Sequence, residues 1–436
     1  MSSEIVEKIR QQYESEPYPN FPIERSAKEE TNVLPLYNIV TSYYIRNQKV
    51  TSSEGKVILD AGCGSGYKAL ILAEANPGAR IVGVDLSPKS IEMARERLKY
   101  HKFENFEFHA MPLEELPSLG LEFDYINNDE VLYLLPDTLA GLKAMKSVLK
   151  PEGIIRTNLH SAYQRAGFFR AQKFCQTLGL MDGNPDDLEV GILKETMDAL
   201  KNVVNLKQTT WGANTQKNAR VSLMNHLLQG DKGFTIPEMF TLLEAAGLEF
   251  IQMLNPRQWD VTELFQNPDD LPAFWAMSLP GLTVEEQLHL YELLHPVHRL
   301  IDFWCGHPNQ AQPSTPVEEW SNEDWQTARV YLHPQLQTEK VKAAMLEGMN
   351  QINSVEMSQY LPMPGLSGVW VDSSTIACLL PLWEESQSMV AMVQRWHQLR
   401  PVDSTSLEPI SQESAFATVR DILSTMVGFG FVLVER

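Results

Sequence analysis

From Val57 onward the chain alternates short apolar runs with amphipathic stretches, the pattern of strands each followed by a helix. Val57-Ile58-Leu59 predicts a buried strand, and Tyr67 to Ala75 the helix after it. Arg80 to Val84 predicts a second strand. Ser87 then caps a helix with Pro88 at its first position, where a missing N–H costs nothing, and Ile91, Ala94 and Leu98 share one face of it. Phe106 to Phe108 and Phe123 to Ile126 predict two more strands. Leu139, Leu142, Met145 and Leu149 line the next helix, and Lys150-Pro151-Glu152-Gly153 turns into a fifth strand through Ile154-Ile155. Such alternation predicts an α/β fold with a parallel sheet covered by helices on both faces.

The flanks read differently. Glu4 to Tyr13 predicts a short polar helix, and the prolines of Glu16-Pro17-Tyr18-Pro19-Asn20-Phe21-Pro22 force an extended path after it. Residues 160–232 interrupt the alternation with a helical, polar-rich insertion. It resumes at Thr235 and Glu238, which have capping-box spacing, with Gly247 after the helix and a further strand over Leu248 to Leu254. Beyond 256 the pattern is mainly helical, holds eight of the nine tryptophans and has proline-rich breaks such as His307 to Pro316. Near the end, the helix Met389 to Leu399, a helical face of Phe416, Val419, Ile422, Leu423 and Met426, and the strand-like Phe429 to Val434 suggest a winged-helix-like unit. The expected organisation is an N-terminal arm over 1–50, an α/β core over 51–255 and a helical C-terminal domain over 256–436.

Charge narrows the function. Lys and Arg total 36 against 56 Asp and Glu, a formal net charge of −20. That balance disfavours phosphate backbones and anionic headgroups, so neither nucleic acid nor membrane is an expected partner. The start shows no signal-peptide pattern, and Cys63, Cys175, Cys305 and Cys378 form no CxxC pair, which suggests a reduced, cytoplasmic chain.

The chemistry concentrates in Asp60-Ala61-Gly62-Cys63-Gly64-Ser65-Gly66, between the first strand and its helix. Dinucleotides set a pyrophosphate against the helix N-terminus and use G-x-G-x-x-G. Here the spacing is G-x-G-x-G, and Asp60 would repel a pyrophosphate while complementing an ammonium and a sulfonium. Asp85, nineteen residues after Gly66 at the end of the second strand, can accept both ribose hydroxyls. S-adenosylmethionine carries that set of groups and no phosphate. A nicotinamide cofactor, or a turn that binds nothing, is the alternative.

Through about Val57 to Gly153 the sequence resembles the class I S-adenosylmethionine-dependent methyltransferases, in VILDAGCGSG, VGVDLSPKSIEMAR, EFDYINNDEVLYLLPD and LKPEG. The resemblance implies a Rossmann-like, seven-stranded-type sheet. It also implies that Asp60 and Gly62 hold the methionine end and Asp85 the ribose, with Cys63, Gly64, Gly66, Leu86 and Asn128 as further cofactor-binding candidates. Family members often place an Asp where Pro112 stands, so Met111, Pro112 and Leu113 would sandwich the adenine ring or offer it backbone groups. Tyr13 to Pro19 and His160 to Gly167 further resemble a bacterial subgroup with a C-terminal regulatory-type region, some members of which methylate protein lysines.

The acceptor leaves a fainter trace. Asn127-Asn128-Asp129-Glu130 is not the Asn/Asp-Pro-Pro-aromatic run of DNA amine methyltransferases. His160 and Tyr133 are the catalytic candidates, with a loop-bonded histidine and a buried aromatic as the bland alternatives. Tyr18, Phe21, Tyr163 and Arg165 are candidates for a lid or acceptor wall, and Tyr18 and Phe21 equally for pins of the arm. His295, His298, Cys305 and His307 lack zinc-site spacing, and no metal is expected. A small-molecule acceptor is expected, with a protein lysine, or a non-catalytic protein acting through its C-terminal region, as alternatives.

Overall fold

The computed structural model describes residues 2–15, 18–29, 33–311, 314–361, 368–403 and 406–436. Glu16 and Pro17 of the expected proline break, and part of His307 to Pro316, lie outside them. The chain forms two compact units, Met1–Arg25 with Lys56–Leu70 and Arg80–Gln310, and Ser26–Gly55 with Ile71–Ala79 and Ala311–Arg436.

The first unit is built on one sheet. Its strands are β1 (Val57–Ala61), β2 (Arg80–Asp85), β3 (Phe106–Ala110), β4 (Phe123–Asn128), β5 (Leu149–Ser161), β6 (Gly233–Phe234), β7 (Glu249–Met253) and β8 (Leu300–Gly306). They lie in the order β3-β2-β1-β4-β5-β8-β7, with β6 beside β5. The pairs from β3 to β5 are parallel, and β8 runs antiparallel to β5 and β7. This is the Rossmann-like sheet expected, with two parallel halves meeting at β1 and β4, where the strand order reverses and a cleft opens at the carboxyl ends. Leu59, Val82, Ile126 and Ile155 are wholly buried, because helices cover both faces.

Local signals set the helices. Ser87 accepts a hydrogen bond from the Ser90 amide at 3.2 Å, and Pro88 opens the helix Pro88–Tyr100. Thr235 and Glu238 form a capping box for Ile236–Ala246, which ends at Gly247 with φ +66°. The insertion carries the helices Ala166–Thr177, Asp187–Ala199 and Ala219–His226, among others, around their own core of Cys175, Leu193, Met197 and Leu227.

Two expectations of organisation change. Strand β8 lies beyond residue 255, in sequence read as helical, and buries Ile301, Phe303, Trp304 and Cys305 in the sheet. A seven-residue apolar run does not by itself distinguish a strand from a helix segment. Residues 26–50 are not part of an arm either. In the second unit, the Tyr44 hydroxyl donates to the Val434 carbonyl at 3.1 Å and accepts from the Val434 amide at 3.0 Å. That unit packs the helices Glu339–Gln351, Ser373–Leu379, Met389–Leu399 and Gln412–Gly428 around Met345, Ile376, Leu382 and Leu423. Its strand Val432–Glu435 pairs antiparallel with Arg329–Leu332, as does Gln387–Ser388.

Candidate active site

A cavity lies at the carboxyl ends of β1, β2 and β4, where Gly62, Gly64, Asp85 and Asp129 line it. The loop after β1 forms one wall. Gly62 (φ +87°) and Gly64 (φ +49°) hold left-handed backbone, and a Cβ on them would sit 2.4 Å from the Val131 side chain and 2.1 Å from the Tyr18 carbonyl. Every loop amide is already engaged. Gly62 and Cys63 donate to the Val84 carbonyl, Gly64 to Asp85 Oδ2, Ser65 to the Tyr18 carbonyl and Gly66 to the Cys63 carbonyl, all within 3.0 Å. A pyrophosphate would find no free N–H here, which separates this loop from a dinucleotide cradle.

Two carboxylates flank the loop instead, and Asp60 is not among the residues that line the cavity. Asp85 lines the cavity, and its two oxygens accept from the Ser87 and Gly64 amides, yet burial still raises its pKa. Asp60 is 1% exposed. Its Oδ1 accepts from Asn127 Nδ2 at 2.8 Å, its Oδ2 has no hydrogen-bond partner among the described residues, and burial pushes its carboxyl up to about 7. An orphaned, buried carboxylate oxygen beside a phosphate-free loop suits a cationic group, so the residues present fit an ammonium-bearing adenosyl donor. Leu86, Met111, Pro112 and Leu113 line the same cavity, as expected of an adenine slot, and Glu114 adds an acid that the Pro112 position lacks.

Other expected ligands of the cofactor have different positions. Cys63 is buried beneath the loop, with its thiol raised well above the ordinary range by burial. A Cβ on Gly66 would meet the Ala94 Cα at 2.5 Å, so that glycine serves helix packing. Asn128 donates to the Ala61 carbonyl and accepts from the Thr157 hydroxyl, leaving its amide no free end toward a ligand.

The arm supplies the opposite wall through Ile9, Arg10, Tyr13 and Tyr18. Tyr18 thus stands at the cavity, its hydroxyl 3.4 Å from Glu130 Oε2. Phe21 does not line it. Its ring packs edge-on against Tyr67 at 4.8 Å, and Arg97 donates to the Phe21, Pro22 and Ser65 carbonyls, tying arm and loop together.

The acceptor side departs most from expectation. His160 and Tyr133 are stacked 3.6 Å apart and buried, and neither lines the cavity. The His160 Nδ1 lies 2.6 Å from Asp231 Oδ1, and its Nε2 lies 3.0 Å from an Arg299 nitrogen. Burial pushes its pKa down to about 4, against the opposing pull of Asp231. The ring is therefore neutral, Nδ1–H donates to Asp231 and Nε2 accepts from Arg299. A lone pair held by a guanidinium does not serve as a base, which corrects the expectation for His160. Arg165 is likewise buried, donating to Asp231 at 3.0 Å and to Asn225 at 3.0 Å, and Tyr163 is 42% exposed on the surface.

Glu130, Asp129, Tyr13, Asp231 and Arg299 escaped the sequence reading. Glu130 (φ +62°) and Asp129 line the cavity, and Arg299 donates to Glu130. Only the acidic end of Asn127-Asn128-Asp129-Glu130 signalled any of them. The histidines once weighed for a metal have separate neighbours. His298 stacks on Trp259, His307 Nε2 lies 3.1 Å from the Leu149 carbonyl, and Cys305 is buried in β8. Among the described residues no group of three His, Cys, Asp or Glu is placed to hold a metal, and no helix is long and apolar enough to cross a membrane.

Comparison with known proteins agrees with this geometry. Residues 52–227 match a family described as a methyltransferase domain. An uncharacterized protein of Synechococcus sp. is 24% identical over 331 residues, 74% of this chain and 76% of that protein. The ubiquinone biosynthesis O-methyltransferase of Acinetobacter baylyi is 33% identical over 102 residues, 23% of this chain and 41% of that enzyme, so the chain spans less than half of its length. In structure the chain is similar to PKMT2 from Rickettsia typhi in complex with AdoHcy, with a TM-score of 0.57 at 16% identity, over 96% of this chain and 77% of the other.

Proposed function

We propose that the chain, whose residues 52–227 match a family described as a methyltransferase domain, transfers a methyl group from S-adenosylmethionine to a small-molecule acceptor at the cavity beside Gly64. The donor, when bound, supplies a methyl group on a sulfonium, open to in-line displacement. In this reading Asp85 accepts the ribose hydroxyls, and Asp60 takes the ammonium with its free oxygen. Met111, Pro112 and Leu113 flank the adenine, while Glu114 accepts from its amino group. Tyr13, Tyr18, Ile9 and Leu135 exclude water from the reacting groups, and positioning with desolvation does most of the work. Four free, buried cysteines suit a cytoplasmic setting.

The single observation that carries the reading is the unpaired, buried Asp60 Oδ2 beside a loop with no amide left for phosphate. S-adenosylmethionine or S-adenosylhomocysteine is expected to raise the melting temperature, and Asp85→Ala to remove that protection. Unchanged melting at saturating cofactor would overturn it, and protection by NAD instead would mark a nicotinamide enzyme.

A lysine side chain of a protein is the second reading, supported by the Tyr13 to Pro19 motif and by a net charge of −20 that favours basic polypeptide. Labelled donor incubated with a lysate separates the two, since label appears either in small molecules or in polypeptide. No label anywhere would indicate a non-catalytic protein.

A further inference from the structure

A second opening adjoins the cavity at the same edge of the sheet. It is a groove between the end of β7, the turn Pro256–Trp259 and the start of β8, lined in part by Asn255, Gln258, Trp259, His298, Arg299 and Asp302. The partition between the two is made of ion-paired bridges. Glu130 faces the cavity, Arg299 the groove, and they are hydrogen-bonded to each other. Asp129 faces the cavity and Asp302 the groove, with Arg156 NH2 between them at 3.7 and 2.7 Å.

Arg299 is held in a particular way. One terminal nitrogen donates to the neutral His160 Nε2 and the other to Glu130. Two of its five N–H donors are thus engaged among the described residues, and its side chain is 43% exposed. The acceptor lone pair on Nε2 exists because Asp231 takes the Nδ1 proton. Asp231 in turn is fixed by Arg165 at 3.0 Å and Gln172 at 2.8 Å. A buried chain of side chains, running from the helical insertion to the edge of the cleft, therefore holds one permanently charged, planar fork at the boundary of cavity and groove.

We propose that Arg299, hydrogen-bonded to the cavity-lining Glu130, anchors the carboxylate of an acceptor at the boundary between this groove and the methyl-donor cavity, with His160 and Asp231 as the positioning residues that orient it. The proposal rests on the methyltransferase reading and deepens it by naming the acceptor class. A guanidinium with three donors left over can take a carboxylate through two parallel hydrogen bonds without giving up His160 or Glu130.

The test uses benzoate as probe and benzamide as its neutral twin, titrated by ligand-observed NMR onto the full chain saturated with S-adenosylhomocysteine. Benzoate is expected to bind at least about tenfold more tightly than benzamide, a ratio worth about 1.4 kcal/mol. Arg299→Gln should bring the two probes level while the S-adenosylhomocysteine affinity stays within about twofold. Arg299→Lys, a second variant that keeps the charge, should lose most of the preference because the fork is gone. His160→Gln, whose amide oxygen can still accept from Arg299, should keep more of it than His160→Leu, and a merely structural histidine would not sort the pair that way. Equal binding of the two probes to the wild type would overturn the proposal, as would a preference that survives in both Arg299 variants. Failure of S-adenosylhomocysteine to bind the wild type would overturn the donor reading instead, and the acceptor role with it.

Discussion

Asp60 and Asp231 are equally hidden from water, with 1% of the first residue and none of the second's side chain exposed, yet their carboxyls are pushed in opposite directions. Burial takes Asp60 up to about 7, because the Asn127 amide is its only hydrogen-bond donor among the described residues. Burial would raise Asp231 too, but donors from His160, Arg165 and Gln172 outweigh it and hold the carboxyl below the ordinary range. One acid is complete within the fold and the other is left wanting a cation. Burial alone therefore does not mark a binding residue, whereas burial with an unmatched charge does.

The largest effect that sharpens this contrast is expected at Asp231. Asp231→Ala leaves the Arg165 guanidinium buried and unpaired, and should cost about 3–5 kcal/mol of stability in denaturant titrations. S-adenosylhomocysteine affinity should move by less than about threefold. The larger effect on the ligand is expected of Asp85→Ala, which removes the proposed acceptors for the ribose hydroxyls. It should lose about 100-fold in S-adenosylhomocysteine affinity by calorimetry, and it also leaves the Gly64 and Ser87 amides without the carboxylate they donate to in the free protein.

Asp60 tests the contrast through pH. Its folded pKa of about 7 exceeds the ordinary value of 3.8, so the folded chain binds the extra proton and loses stability as pH rises between those values. Asp60→Asn should then stabilise the free protein at pH 8, by on the order of 2 kcal/mol, and the gain should vanish near pH 4. The same substitution should weaken the adenosyl ligand. In the wild type, binding at pH 6 should release close to one proton, read from calorimetry in buffers of different ionisation enthalpy. A pH-independent Asp60→Asn effect would break the comparison.

The smallest expected effect is at Tyr18→Phe. Loss of the long contact to Glu130 should cost about 0.5–1 kcal/mol or less in ligand affinity, because the ring still closes the cavity.

Part of the cavity lining was legible in the chain. Gly62, Gly64, Asp85, Leu86, Met111, Pro112 and Leu113 all lie where their motifs placed them, since each motif joins a strand end to the turn after it and covers only a few residues. Strand and helix identities were legible for the same reason, from caps, periodicity and apolar runs within one element. The acceptor half was not. Its parts come from residues 130, 160, 231 and 299, and His160 looked like a base until Arg299 was found against its Nε2. Strand β8 was hidden too, because seven apolar-rich residues carry no period long enough to name their structure.

By itself, then, the sequence determined the alternating α/β core and a carboxylate-flanked glycine loop, because short-range sterics and hydrogen bonding act between neighbours along the chain. Only the tertiary structure decided which buried charges are matched and which are left for a ligand. Charge balance in a low-dielectric site depends on groups brought together over more than a hundred residues of chain, and no local pattern records it.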